Sequence, residues 1–296
     1  MTARPEAAPA PGAPGHNPDL VEFAGIAAPV EPWLVALDID GTLLDYEGGM
    51  APAVRDAVIA ASNAGHHIVL ASGRDLVSML PLAAELGLAD ARMVCSNGGV
   101  IVQVDPSLDA GYLIEQLRAF NPEPVLRELV KLLPNARFAV EDVGRGWRLT
   151  EMFNDGELAG VFSVVPFDQL WTGGSVTRVV VRGGDETPEE FSQAIADLGL
   201  TGASYFVGYN AWLDITPRGV SKASALETVR VSLGVPPERT LAIGDGMNDI
   251  DMLEWAARGI AMGHAPLEVR LAADEVTAPV TKDGVAAALR PLLPTR

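Results

Sequence analysis

The chain is expected to be an α/β protein, a doubly wound parallel-sheet core carrying an inserted α+β segment. Three observations predict this. Short apolar strand-like runs alternate with helical runs toward both ends of the chain, the pattern of a parallel sheet covered by helices. From about residue 106 to 215 the texture changes to several strand-like pieces around two helical ones. Four core runs end in polar motifs, DIDGT, ASGR, SNGG and GDGMND, and in an open parallel sheet such motifs converge at the carboxyl edge of the strands, where ligands bind.

The elements follow in order. Residues 1–30 are rich in Ala, Pro and Gly and lack the apolar stretch of a signal peptide, so they read as a disordered tail. Core segments are placed at 31–105 and 216–296, with the insert at 106–215. In the first core segment, Leu34 to Leu37 is a buried strand. APAVRDAVIAASNAG is a helix with Pro52 in its first turn and Gly65 past its end, each suited to that position. HHIVLASG is a second strand, DLVSMLPLAAELGL a helix kinked or shortened at Pro81, and ARMVCSNGGVIV a third strand and turn.

In the insert, PEPVLRELVKLL and PEEFSQAIADLG are helical. ARFAVE, GWRLTE, VTRVVVRG, ASYFVG and AWLDIT are strand-like, the last two flanking a hairpin turn at Tyr209-Asn210. The second core segment repeats the opening pattern: helix SKASALETVRVSLG, strand TLAIGD, helix NDIDMLEWA, strand RGIAMG, then helices EVRLAAD and GVAAALRPLL.

Composition narrows the function. With 296 residues, 48% of them apolar, the chain can bury a full core. A net charge of −18 argues against nucleic acid or an anionic membrane as a general partner, while leaving room for a small anionic substrate met by local cations. A single cysteine, Cys95, allows no intrachain disulfide, and no apolar run reaches the length of a membrane span. A cytoplasmic location follows by elimination.

The motifs carry the chemistry. Asp38 and Asp40 close a greasy strand, and two neighbouring carboxylates need a cation, hydrogen-bond donors or solvent to be tolerated. The bland alternative is an ordinary Asx turn. Gly41 and Thr42 tip the balance by bringing backbone N–H groups and a hydroxyl to the pair, an arrangement that suits a metal-bound phosphate. Ser72 either caps the following helix or contacts phosphate at its N-terminus. Lys222 either is a solvated surface lysine, the usual fate of lysine, or answers an anion nearby, since the dipole at a helix start disfavours a cation. Asn248 or Asp249 can cap a helix, but Asp245 then has no structural task, whereas with Asp38 it forms an oxygen-rich site suited to Mg²⁺.

DIDGT, ASGR, GVSKASAL and GDGMNDIDML, in this order and spacing, resemble the haloacid dehalogenase (HAD) superfamily, and the Cof-type phosphatases with a type IIB cap in particular. The resemblance covers about residues 33–290. It implies a Rossmann-like core with residues 106–215 as the cap. It implies that Asp38 attacks phosphorus to form an aspartyl phosphate and that Asp40 protonates the leaving oxygen and then activates water. Lys222 and Ser72 would bind the phosphoryl oxygens, in a phosphate environment made with Gly41, Thr42, Gly73 and Asn248. Mg²⁺ would be held among Asp38, Asp245 and Asp249, with the backbone carbonyl of Asp40 as a further ligand. The implied reaction is hydrolysis of a small phosphomonoester, with a sugar phosphate first in line. A dedicated disaccharide-phosphate phosphatase, a phosphomutase, and a non-catalytic phospholigand-binding protein are the alternatives; the last is disfavoured because none of Asp38, Asp40, Asp245 and Asp249 is lost.

Several residues fall outside these motifs. AMGHA carries His264 where the resembled family usually shows Asn, and His264 is read as a partly exposed turn residue. His66-His67 is read as solvated surface and Cys95 as core packing. Asp274 and Asp283 are given no chemistry. Trp147, Arg145, Arg148, Arg178 and Tyr209 are candidates to meet a substrate's polar groups in the cap, the alternative reading for most of them being ordinary fold or surface residues.

Overall fold

The computed structural model describes residues 31–153, 158–184, 186–198, 203–208 and 211–293. The tail at 1–30 and the turn at Tyr209-Asn210 therefore lie outside the described residues. The chain order is β1 (Leu34–Leu37), α1 (Pro52–Asn63), β2 (His67–Ala71), α2 (Leu76–Glu85), β3 (Arg92–Cys95), β4 (Val100–Val104) and β5 (Tyr112–Leu117). Then come α3 (Glu123–Leu132), β6 (Arg137–Asp142), β7 (Gly146–Leu149), β8 (Val161–Val164), β9 (Val179–Arg182), α4 (Pro188–Leu198), β10 (Ala203–Gly208) and β11 (Trp212–Pro217). The chain continues with α5 (Lys222–Ser232), β12 (Thr240–Gly244), α6 (Ile250–Trp255), β13 (Arg258–Ala261), α7 (Leu267–Ala272), β14 (Glu275–Val276) and α8 (Gly284–Leu289).

Among the described residues the strands form two sheets. The first has the order β14-β13-β12-β1-β2-β3-β4-β5, parallel from β14 to β3 and antiparallel at β4 and β5. β1 lies in the middle, and all four of its residues are buried. Successive strand residues point to opposite faces, so each face receives apolar side chains from β1. Val35 and Leu37 pack with residues of α1, α2 and α8, while Leu34 and Ala36 pack with residues of α5, α6 and α7. The sheet is thus covered on both sides, as the uninterrupted apolar strand required.

The second sheet is mixed, with the order β10-β11-β9-β6-β7-β8. One face carries Phe138, Val140, Val179, Val181, Leu213 and Ile215 against apolar residues of α3 and α4. By the same alternation the other face carries Glu141, Val180 and Asp214, and it is from this side that the sheet meets the first.

Local details depart from expectation in three places. α2 runs through Pro81 to Glu85, so of the two expectations for it, kinked or shortened, the shortening does not occur. Tyr112–Leu117, inside the segment expected to form the insert, pairs with β4 and extends the first sheet. His66 is buried, its Nδ1 accepting from the Trp33 N–H at 3.2 Å and its Nε2–H donating to the Leu292 carbonyl at 3.0 Å; it ties the start of β2 to the chain's C-terminal turn and is not solvated surface. Cys95 is buried in the core, as read. No helix among the described residues is long and apolar enough to cross a membrane.

Candidate active site

Parallel pairing of β1 with β12 places the residues after both strands side by side. Asp38 leaves β1 with its N–H donating to the Ile243 carbonyl of β12 at 3.0 Å, and Asp245 follows the end of β12. Thr42, completely buried, donates its Oγ1–H to Asp245 Oδ1 at 3.2 Å. Gly41, at φ +79°, lies so near that a Cβ there would fall on the Asp245 carboxylate; a backbone of that conformation at that closeness needs glycine.

Lys222 is the first residue of α5, whose N-cap Ser221 accepts from the Ser224 N–H. Only 1% exposed, Lys222 directs Nζ to Asp38 Oδ1 and Asp249 Oδ1, each at 2.6 Å. Asp249, 0% exposed, uses its other oxygen to accept the N–H groups of Asp245 and Gly246 at 2.9 and 2.8 Å. It therefore closes the turn after β12, bonding back to Gly246 at the head of the 3-10 turn Met247–Asp249, while as N-cap residue of α6 it makes no side-chain cap bond. Lys222 is no surface lysine: its oddity at a helix start is explained by two buried anions.

Electrostatics follow from that packing. Burial pushes the Asp38 carboxyl well above the ordinary aspartate range, and Asp249 and Asp245 push the same way against the opposing charge of Lys222. Asp245 is raised to about 6, by burial first and Asp249 second, with His264, Thr42 and Lys222 opposing. Burial would by itself lower the pKa of Lys222, but Asp249 and Asp38 more than offset it and hold the ammonium charged. One lysine facing three carboxylates leaves an uncompensated negative charge.

The ligand oxygens of Asp38, Asp245 and Asp249 lie within 4.8 Å of one another. A hard, all-oxygen set with excess negative charge fits a divalent cation. Asp40 stands apart from these three. Its exposed carboxylate is gripped by Arg74, with Nε to Oδ2 at 2.9 Å and Nη2 to Oδ1 at 2.5 Å, a bidentate ion pair.

Ser72 is buried, and its Oγ accepts the Arg74 N–H at 3.1 Å. It does not cap α2; Asp75 does, accepting from the Ser78 N–H at 2.9 Å. Gly73 packs close to the Asn97 side chain. Asn97 and Ser96, in the SNGG turn, both have positive φ, an uncommon state for residues other than glycine. Asn97 accepts from Asn248 Nδ2 at 3.1 Å and donates to Asp214 of β11 at 3.4 Å. Ser96 Oγ–H donates to Glu141 of β6 at 2.7 Å. The turn thus joins the catalytic-edge loop of Asn248 to the second sheet.

Between the sheets lies a cavity of about 310 Å³, lined by Asn97, Ser204, Tyr205, Asp214, Lys222 and Asn248 among others. The residues proposed to read a substrate there behave differently. Trp147 is buried and donates its indole N–H to Asp75 at 3.2 Å. Arg178 is buried, pairs with Asp214 at 2.5 Å and lies over the Trp147 ring at 5.3 Å. Arg148 binds Asp142 and the carbonyls of Gln169 and Leu170; Arg145 is exposed; Tyr209 is outside the described residues. None of the four described candidates lines the cavity.

Sequence reading missed Arg74, Asp75, Asn97, Ser204 and Tyr205. ASGR and SNGG held two of them, Arg74 and Asn97, in plain view, and Asp75 directly follows the first motif. Ser204 and Tyr205 sit on an outer strand whose neighbour in space no local pattern discloses.

Buried carboxylates around a lysine at the carboxyl edge of a parallel sheet, beside a second sheet, suit an α/β enzyme that holds a cation and an anionic substrate there. The comparisons with known proteins narrow this: the haloacid dehalogenase-like hydrolase family matches at residues 35–119 and 167–289, and the chain belongs to that family. It is 31% identical to the phosphoglycolate phosphatase of Natronomonas pharaonis, over 86% of this chain and 95% of that one. It is 28% identical to the 5-amino-6-(5-phospho-D-ribitylamino)uracil phosphatase YcsE of Bacillus subtilis, over 87% and 94%. Its fold matches that of the HAD subclass IIB sugar phosphatase BT4131, with a TM-score of 0.73, 24% identity, and coverage of 88% and 98%. The chain is a Cof-type HAD phosphatase acting on small phosphorylated metabolites.

Proposed function

We propose that this phosphatase is a Mg²⁺-dependent sugar-phosphate hydrolase working through an aspartyl phosphate on Asp38. The observation that carries the reading is the buried cluster of Asp38, Asp249 and Lys222, with Nζ 2.6 Å from a carboxylate oxygen of each.

Asp38 and Asp245 would hold the cation, supported by Asp249 and the backbone carbonyl of Asp40; the bound ion would neutralise the carboxylates and draw charge from the phosphoryl oxygens. Asp38 then supplies the attacking oxygen. Lys222 and Ser72 meet the transferring group, the ammonium balancing charge that develops there, and Gly41, Thr42, Gly73 and Asn248 shape its surroundings. Asp40, once released from Arg74 and protonated, would give its proton to the leaving oxygen and, as the resulting carboxylate, take one from the attacking water. Residues 106–215 act as the cap, excluding water during the first step.

A sugar is favoured because the adjoining cavity offers Asn97, Ser204, Tyr205, Asp214 and Asn248, neutral and acidic groups that match hydroxyls. The test is phosphate release from a panel of hexose phosphates, nucleoside monophosphates, phosphoglycolate and ribityl phosphates, with Mg²⁺ and with chelator. Metal-dependent release led by hexose phosphates is expected. Release unaffected by chelator would overturn the metal role, and a clear lead for phosphoglycolate would overturn the sugar assignment.

A further inference from the structure

His264 is not the bystander its sequence context suggests. It follows β13, its side chain is 21% exposed, and its Nε2 faces Asp245 Oδ2 at 3.4 Å. The ring's other nitrogen, Nδ1, accepts the backbone N–H of Val280 at 3.3 Å. A nitrogen that accepts carries no proton, so the neutral ring bears its proton on Nε2, the atom turned to Asp245. Nε2 is buried and has no well-aligned hydrogen-bond partner among the described residues. Tyr46 meets the imidazole edge-on, ring centroids 5.8 Å apart, and donates its own O–H to the same Oδ2 at 3.3 Å.

Asp245 is therefore approached from both sides, with Thr42 on Oδ1 and Tyr46 and His264 on Oδ2. We propose that His264, with Tyr46, is a positioning residue that fixes the Asp245 carboxylate and thereby sets the affinity and selectivity of the divalent-cation site. The inference rests on reading Asp38, Asp245 and Asp249 as that site. The physical reason lies in coordination. A carboxylate with one oxygen engaged by the Tyr46 hydroxyl and faced by the His264 imidazole is disposed to offer a cation a single oxygen. Small octahedral Mg²⁺ accepts such ligands, whereas larger Ca²⁺ gains from bidentate ones. Removing the imidazole frees Asp245 to turn, and outer partners of this kind are worth about 10–100-fold in metal affinity. An asparagine at this place would keep an N–H donor but on a shorter arm, without the Val280 anchor of the ring.

The test is calorimetric titration of the full chain with MgCl2 and with CaCl2, for wild type, His264→Ala, His264→Asn and Tyr46→Phe. Tyr46→Phe removes one hydroxyl from an exposed side chain and guards against a misfolded His264 variant. Expected is a Mg²⁺ affinity lowered about 10–100-fold in His264→Ala, with Ca²⁺ affinity lowered less, and smaller losses in the other two. Unchanged Mg²⁺ affinity in both His264→Ala and Tyr46→Phe overturns this inference alone. Absence of Mg²⁺ binding by the wild type overturns the cation site itself. An Nε2 resonance that moves on Mg²⁺ addition to the position of a metal-bound nitrogen also overturns the proposal, because His264 would then be a direct ligand.

Discussion

Asp214 of β11 and Arg178, just ahead of β9, form a buried ion pair at 2.5 Å on the face of the second sheet turned toward the first. The guanidinium lies over Trp147, whose N–H reaches Asp75 at the start of α2, and Asp214 receives Asn97 from the SNGG turn. A chain of contacts therefore runs from the second sheet to Asn248 beside the catalytic edge.

Breaking that pair by Asp214→Ala strands a buried guanidinium, at a cost of about 3–5 kcal/mol. Arg178→Met combined with Asp214→Leu should recover much of the loss, because a buried pair replaced by apolar groups is often neutral. Denaturant unfolding of the two single variants and the double variant measures this. Equal losses in Asp214→Ala and the double variant would contradict the account.

Glu141 is the other buried acid of that face. Its pKa is raised by burial, against Arg178, Ser96 and Thr177. A folded-state pKa above the unfolded one means the native state binds the proton more tightly, so the Glu141 contribution weakens as pH rises above the unfolded carboxyl range. Glu141→Gln should therefore gain stability relative to wild type between pH 5 and 8, about the interval above a free glutamate. Thermal unfolding across that interval checks it; a difference that shrinks as pH rises would be the wrong sign.

Gly41→Ala forces a side chain into the Asp245 carboxylate at a left-handed φ. The expected outcome is a folded protein destabilised by about 1–2 kcal/mol, with Mg²⁺ binding and turnover both lost. Calorimetric titration and phosphate release give the two readouts. Wild-type Mg²⁺ affinity in this variant would contradict the placement of Asp245.

Much of this was legible in the sequence because it is local. β1 is an uninterrupted apolar run, β2 and β12 are apolar after their first residues, and each polar motif begins at or just past the end of its strand. What stayed hidden is carried by long-range pairing. β5 and β8 lie at sheet edges with Leu113, Ile114, Leu117, Val161 and Val164 exposed, so no apolar-inward alternation marks them. His66 looked like surface, and His264, a partly exposed turn residue as expected, looked idle, because their partners, Trp33 and Leu292 for one, Asp245 and Val280 for the other, are remote in sequence. Arg178, one candidate to meet substrate, is occupied by Asp214 and serves the fold.

Asp38 as the covalent nucleophile is the central claim, and trapping the phosphoryl group tests it most directly. Wild-type protein and Asp38→Asn, each shown to be folded by circular dichroism, would be quenched during turnover of a hexose phosphate with Mg²⁺ and mapped by mass spectrometry. The account predicts a hydroxylamine-sensitive phosphoryl group on Asp38 of the wild type, and neither that adduct nor turnover in Asp38→Asn. Near wild-type phosphate release by folded Asp38→Asn, or a phosphoryl group on another residue, would contradict it.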